Sequence, residues 1–112
     1  LQALVLLNDP QFFEASRIFA ERIIKSKDTL EEQISHGFRL ATSRYPKEEE
    51  LNILVDLYNS QYQYYRQNRD KAYQVLSVGE KPRDMNIYSV KTAAMTMVAN
   101  TLLNHNETYT KR

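Results

Sequence analysis

Residues 86–103 read NIYSVKTAAMTMVANTLL, a stretch that is apolar around nearly the whole circumference of a helix. Residues that suit a buried face recur at helical spacing on two sides of that helix. One side has Ile87, Val90, Ala94, Val98 and Thr101, and another has Met95, Ala99 and Leu102. Neighbouring elements cover a helix that is apolar all round, so we predict that this is the central, most buried helix. We expect it to end at Asn104, with a polar tail over residues 105–112.

Four amphipathic segments come before this helix. Their apolar spacing and their capping residues predict helices from Pro10 to about Lys25, from about Thr29 to Ser43, from Lys47 through Tyr65, and from Asn68 to about Ser77. The predicted fold class is therefore all-α, an irregular or orthogonal bundle of about five helices with a buried C-terminal helix. On the first helix, the charged side chains are expected to face water: Glu14, Arg17, Glu21 and Arg22.

Three local features support these boundaries. Asp28 stands three residues before Glu31, a spacing typical of a capping box. Gly37 adjoins the apolar face of the second helix, where it would permit a close helix approach. The three glutamates at 48–50 open the third helix, where the helix dipole favours negative charge, and we prefer this role to an ion site.

Composition excludes several classes of protein. The chain has 112 residues, a formal net charge of +1, no cysteine and two glycines. Without cysteine there is no disulfide, thiolate zinc site or covalent c-type haem within this chain, and two glycines do not build a phosphate-binding loop. The longest apolar run, residues 3–7, is far shorter than the ~20 residues of a membrane span. Near-zero net charge also argues against nucleic-acid binding.

No pattern of catalytic residues emerges. His36 and His105 are far apart in sequence, and no nucleophile motif accompanies the scattered serines. The methionines are typical of core filling rather than of haem ligation. We therefore predict a domain that is not an enzyme, with no metal site and no cofactor of its own.

Two groups of residues are candidates for contact with a partner. Tyr58, Tyr62 and Tyr65 form a stripe at helical spacing, which is most simply the edge of the core but could also face a protein, a sugar or a base. The stretch GEKPRD, residues 79–84, combines charges with a glycine and a proline, so it is either a connector around a helix cap or a recognition loop.

Four segments carry a resemblance to a known family: LQALVLLNDPQFFEASRIFAERI at the start, ISHGFRLATSRYPKEEELNIL, SVGEKPRD, and MVANTLLNHNETYTKR at the end. In this order and spacing they resemble the C-terminal domain of unknown function of the large planctomycete-type cytochrome c-like exported proteins. The positions that match the family's motifs are Asn8, Asp9 and Pro10, then Arg44, Pro46 and Glu50, then Gly79, Glu80, Pro82 and Asp84, and finally Asn104, Glu107 and Thr110.

The resemblance implies a context more than an activity. Members resemble exported, multidomain proteins in which haem, if any, sits in another domain, and some also carry carbohydrate-binding modules. Residues 1–112 would then be one helical domain cut from a longer protein, with residues 1–7 as the stub of a preceding helix. The shared polar positions are expected to cap helices or to tie the termini together, with Asn8 near Glu107.

These observations predict a non-catalytic interaction or scaffolding module that contacts other domains of the same chain through the leading stub and the tyrosine stripe. One alternative is a module that binds carbohydrate or peptide through the tyrosines and the loop. Another is a domain that completes an active or redox site of the parent protein, for which an exposed cluster of Arg44, Asp84 and Glu107 is expected.

Overall fold

A computed structural model describes residues 10–110, with the backbone alone over residues 105–110. Over that range the chain forms five helices and no strand: α1 Pro10–Ser26, α2 Leu30–Thr42, α3 Glu48–Gln67, α4 Arg69–Leu76 and α5 Ser89–Thr110. The all-α prediction and its five helices are confirmed.

The C-terminal helix α5 is the centre of the bundle. It packs against each of the other four helices and most extensively against α1. Its fully buried apolar residues are Val90, Ala93, Ala94, Met95, Val98 and Ala99. The alanines among them have no bulky side chain to hold neighbouring helices apart, so α5 can be enclosed on several sides at once, as its sequence predicts.

Both predicted ends of α5 are wrong. The helix begins at Ser89 rather than at Asn86 or Ile87, and it runs through Asn104 to Thr110. Asparagine has only modestly lower helix propensity than alanine, and neither proline nor glycine follows it before residue 110. The expected polar tail is therefore helical over 105–110.

The start of α2 differs by one residue from the expected capping box. Thr29, not Asp28, is the N-cap. Its hydroxyl accepts a hydrogen bond from the backbone N–H of Glu32 at 3.2 Å and donates one to the side-chain Oε1 of Glu32 at 3.1 Å. The Thr29 and Glu32 pair repeats the spacing of Asp28 and Glu31, so the pattern fits both registers.

Gly37 permits the close helix approach that the sequence predicts. A Cβ atom there would lie 2.6 Å from Ile23 Cδ1 on α1 and 3.4 Å from Leu102 Cδ1 on α5. The three helices α1, α2 and α5 therefore meet at this glycine, where any side chain would have to displace a buried neighbour.

Candidate functional site

The connector between α4 and α5 is bound along one side of α1. The Lys81 N–H donates to Glu14 Oε2 at 2.6 Å, and the Asp84 N–H donates to Glu21 Oε2 at 2.9 Å. A third contact joins Lys25 Nζ to Asp84 Oδ2 at 3.0 Å. Residues three, four and seven apart share a helix face, so α1 presents these side chains as one row to the loop. We call residues 79–84 the strap.

Arg17 lies at the centre of this contact and is fully buried. Its guanidinium donates to the carbonyl oxygen of Lys81 through Nη2 and to Glu21 Oε2 through Nη1 at 3.1 Å. Its Nε is buried without a hydrogen-bond partner among residues 10–110. The ion pair therefore joins α1 to the strap at a place that water does not reach.

The outward orientation predicted for Arg17 and Glu21 is wrong. Both are buried, and Phe13 is buried as well, whereas Ala15 is exposed. A signal for this exists in the sequence, because Arg17 shares its helix face with Phe13 and Ala20. Glu21, four residues along α1, balances its charge, but the strap backbone that completes the hydrogen bonds of the pair is more than sixty residues away in sequence, beyond the reach of any local pattern.

The strap is held by its backbone and its charges together. Gly79 has a φ of +90°, a left-handed conformation that favours glycine, and a Cβ there would overlap the Glu14 side chain. Gly79 lies two residues beyond Ser77, the C-cap of α4. Lys25 and the Asn86 N–H hold the pKa of the Asp84 carboxyl below its usual range, chiefly through the Asn86 hydrogen bond.

The strap also borders a shallow depression at the start of α1. Its lining consists of Pro10, Gln11, Glu14, Gly79, Glu80 and Lys81. None of the tyrosines proposed as ligand contacts lies there, so the structure does not bring the two candidate groups into one pocket. Pro82 lines a different groove, beside Tyr73 and Met85.

Arg44 forms a second polar contact, at the start of α3. Its two guanidinium nitrogens donate to the two carboxylate oxygens of Glu50 at 2.9 and 2.8 Å, and Oε1 also accepts the Lys47 N–H at 2.8 Å. The Arg44 hydrogen bonds, with the Lys47 N–H, lower the pKa of Glu50 to about 2. Two of the matched family positions therefore join the α2–α3 connector to the first turn of α3.

The tyrosine stripe belongs to the core. Tyr58 is 7% exposed and Tyr65 is 5% exposed, while Tyr62 is half-buried between Tyr58 and Tyr88. Burial raises the pKa of Tyr65 to about 12 and that of Tyr58 still further. The core-edge interpretation is right for Tyr58 and Tyr65, and a partner-facing role for these two is wrong, because their rings are already covered.

The remaining matched positions lie at the two ends of the chain. Asn8 and Asp9 are outside the described residues, as is the stub over 1–7, and nothing is described of the Glu107 side chain. Asn104 lies inside α5 and does not end it. Arg44 binds Glu50 and Asp84 binds Lys25; the cluster that these two residues are expected to form with Glu107 includes a side chain outside those described.

The described part of the chain also contains an apolar groove beside α3. It has a volume of about 220 Å³, its floor is the core, and its rim includes an isoleucine that is 66% exposed. Its lining residues are Phe38, Glu50, Ile53, Leu54, Thr101 and Leu102. We call this the Ile53 groove. Ile53 is not among the candidate contact residues that the sequence predicts.

Two further observations bear on chemistry. Among the side chains that the structure describes, those of residues 10–104, no group of three histidines, aspartates or glutamates is arranged to hold a metal ion. In the same range, no helix combines the length and the apolarity that crossing a membrane requires.

Comparison with known proteins identifies one family. The family model described as "PSD1: Protein of unknown function (DUF1553)" matches residues 1–58, just over half of the chain. Searches of curated proteins and of solved structures give no match.

Proposed function

This chain belongs to the DUF1553 family of proteins of unknown function, and from that membership and its fold we propose that it is a non-catalytic helical interaction module. Its partner is another domain of the same, longer polypeptide. The observation that carries this proposal is the Ile53 groove, an apolar concavity open to solvent.

The groove has the composition of a docking surface. Ile53 presents most of its side chain to water, and Leu54, Leu102 and Phe38 extend that apolar surface down into the core. Covering such a surface is favourable by about 25 cal/mol per Å² of apolar area removed from water. The Arg44–Glu50 pair at its edge supplies the polar rim that surrounds the apolar centre of a typical interface.

A non-catalytic role is supported by how the ionisable groups are used. Glu50 and Asp84 have lowered pKa values because each accepts hydrogen bonds that hold a connector, and Tyr58 and Tyr65 have raised values because they are buried. These shifts follow from structural contacts. None of them prepares a group to exchange a proton near neutral pH, as acid–base catalysis requires.

The resemblance stated above supports the wider context of the proposal. The parent protein is an exported, multidomain protein of the planctomycete-type cytochrome c-like class, and any haem is bound by another of its domains. The present domain has no cofactor of its own and docks against a sister domain through the Ile53 groove.

The test is association between separately produced parts of the parent protein. We expect the 112-residue chain to bind the remaining domains in a pull-down and to co-elute with them in size-exclusion chromatography. Ile53→Asp places a charge at the centre of the contact and is expected to weaken binding by about 100-fold. Because Ile53 is exposed, circular dichroism and unfolding of the variant should match those of the unaltered chain.

The matched control is Tyr64→Asp. Tyr64 is another exposed apolar residue on α3, 46% exposed, and it does not line the groove. We expect this variant to bind like the unaltered chain. The proposal is wrong if the unaltered chain does not associate with the other domains, or if both substitutions weaken association equally.

A further inference from the structure

A second concave surface lies on the other side of α2, and the proposed docking does not use it. The turn between α1 and α2 contributes Lys27, the last turns of α2 contribute His36 and Arg39, and the following connector contributes Tyr45. The open cleft has a volume of about 590 Å³, and its remaining lining residues are Leu40 and Ser43. An adjoining depression of about 200 Å³ extends it along Glu32 and Ser35.

The cations of this cleft are not neutralised by neighbouring acids. The ion pairs found among the described side chains, those of residues 10–104, include neither Lys27 nor Arg39. Glu32 is the carboxylate in the lining, where it faces two cations, Lys27 and Arg39. The described side chains thus give the cleft a net positive charge.

An exposed aromatic ring stands beside these cations. Tyr45 is 65% exposed, and the Arg39 guanidinium lies 4.8 Å from its ring centroid, over one face. Most of the Tyr45 side chain is therefore accessible from the cleft that it lines. Aromatic rings bind the apolar face of flat or ring-shaped groups, and a tyrosine does so with little loss of side-chain freedom.

We propose that this cleft is a binding site for an anionic saccharide. One sugar ring of the saccharide contacts the exposed part of Tyr45, and carboxylate or sulfate groups elsewhere on the saccharide contact Lys27 and Arg39. Ser35, Ser43, His36 and Glu32 offer donors and acceptors for the hydroxyl groups. The volume falls within the roughly 300–1,000 Å³ of small-molecule sites.

A peptide fits this surface less well. Peptides bind by adding a strand to a sheet edge, by laying an apolar helix face in a groove, or by placing acidic groups on clustered arginines. The structure between residues 10 and 110 has no strand, and the lining of the cleft contains one arginine, Arg39. Leu40 is the aliphatic side chain in the lining, while most of the other groups are polar. The cleft thus offers hydrogen-bonding groups around one ring, which suits a ligand rich in hydroxyls.

Because the cleft lies at the end of α2, binding of an anion there depends on the cationic side chains. The carboxyl-terminal end of a helix carries a partial negative charge, and α2 ends at this cleft with the Ser43 N–H donating to the Arg39 carbonyl oxygen at 2.8 Å. An anion here is therefore bound by direct contact with Lys27 and Arg39 and not by the helix. Removing these two side chains should remove the site without disturbing the helix cap, which is made by the backbone.

The experiment is titration calorimetry of the full 112-residue chain at 0.15 M salt with three probes: an oligogalacturonate, a sulfated oligosaccharide and a neutral oligosaccharide of equal length. We expect binding of at least one anionic probe and none of the neutral one. In the Lys27→Ala/Arg39→Ala double variant the dissociation constant should rise about 10- to 100-fold, as for the loss of one or two charge-assisted contacts. Tyr45→Ala should also weaken binding.

A charge-matched control separates a site from general attraction to a basic protein. Arg66 and Lys71 are exposed cations that do not line the cleft, and the Arg66→Ala/Lys71→Ala double variant has the same net charge as the first. It should bind like the unaltered chain. The proposal is overturned if neither anionic probe binds, if the two double variants lose affinity equally, or if a poly-glutamate peptide binds at least as tightly as the saccharides.

Discussion

Replacing Arg17 tests whether the strap depends on a buried ion pair. In Arg17→Ala, the Glu21 carboxylate stays buried, with the Asp84 N–H as its remaining described donor, and the Lys81 carbonyl loses the guanidinium. Removing one partner of a buried pair costs about 3–5 kcal/mol, because the other charge remains without compensation. This is a large part of the roughly 5–15 kcal/mol that stabilises a domain, so the midpoint of thermal unfolding should fall by more than about 10 °C.

Urea unfolding followed by circular dichroism measures the free energy of unfolding. Hydrogen exchange adds a local signal, because the Lys81 and Asp84 amides donate to Glu14 and Glu21, and both should lose protection. Arg17→Lys keeps the charge but not the two-pronged guanidinium, so it should recover only part of the stability.

Arg22→Ala is the matched control for this experiment. Arg22 lies on the same helix and is exposed, so its loss should change stability by less than about 0.5 kcal/mol. A loss in Arg17→Ala of under about 1 kcal/mol, or one equal to that of the control, would show that the strap does not depend on the ion pair.

Three further predictions concern the connectors and the core. The folded-state pKa of Glu50, about 2, lies below its ordinary value of 4.5, so its contribution to stability is present above pH 4.5 and is lost as pH falls toward 2. Because the Arg44–Glu50 pair is partly exposed, Glu50→Gln should lower the free energy of unfolding by only about 1 kcal/mol at pH 7. Urea unfolding at a series of pH values should show the difference between the variant and the unaltered chain disappearing near pH 2. Gly79→Ala should destabilise by about 2 kcal/mol or more, since it combines left-handed strain with overlap on Glu14, and an unchanged urea midpoint would contradict this. Burial raises the pKa of Tyr65 to about 12, so this tyrosine ionises at lower pH in the unfolded chain than in the folded one. The free energy of unfolding should therefore fall between pH 10 and 12. In Tyr65→Phe that fall should be shallower, which alkaline unfolding followed by circular dichroism can measure.

The sequence was sufficient for features that depend on helical periodicity. The all-round apolar pattern of residues 86–103 identified the central helix, and the position of Gly37 identified a close approach. Helix ends were less predictable, because Asn104 and the Asp28–Glu31 pair resemble capping signals without having to act as such. Helix propensity differs too little among these residues to predict where a helix ends.

The polar contacts of the strap could not be predicted, for a physical reason. Periodicity assigns charged side chains to water unless a partner is known. Arg17 and Glu21 pair with each other on α1, but each also bonds a backbone group of the strap, 64 residues away for Arg17 and 63 for Glu21. The Arg44–Glu50 pair is only six residues apart, and the glutamates of α3 were instead assigned to the helix dipole alone. The Ile53 groove and the cleft lined by Lys27 and Tyr45 are each formed by residues from several elements, so neither can be recognised in a single segment of the sequence.

The central claim is that the Ile53 groove is covered in the parent protein. Hydroxyl-radical footprinting with mass spectrometry measures side-chain exposure and can be applied both to the 112-residue chain and to the longer parent protein that we propose. We predict that oxidation of Ile53 falls several-fold in the longer protein, while exposed Met85 on the α4–α5 connector is oxidised equally in both. Equal oxidation of Ile53 in the two proteins would contradict the account.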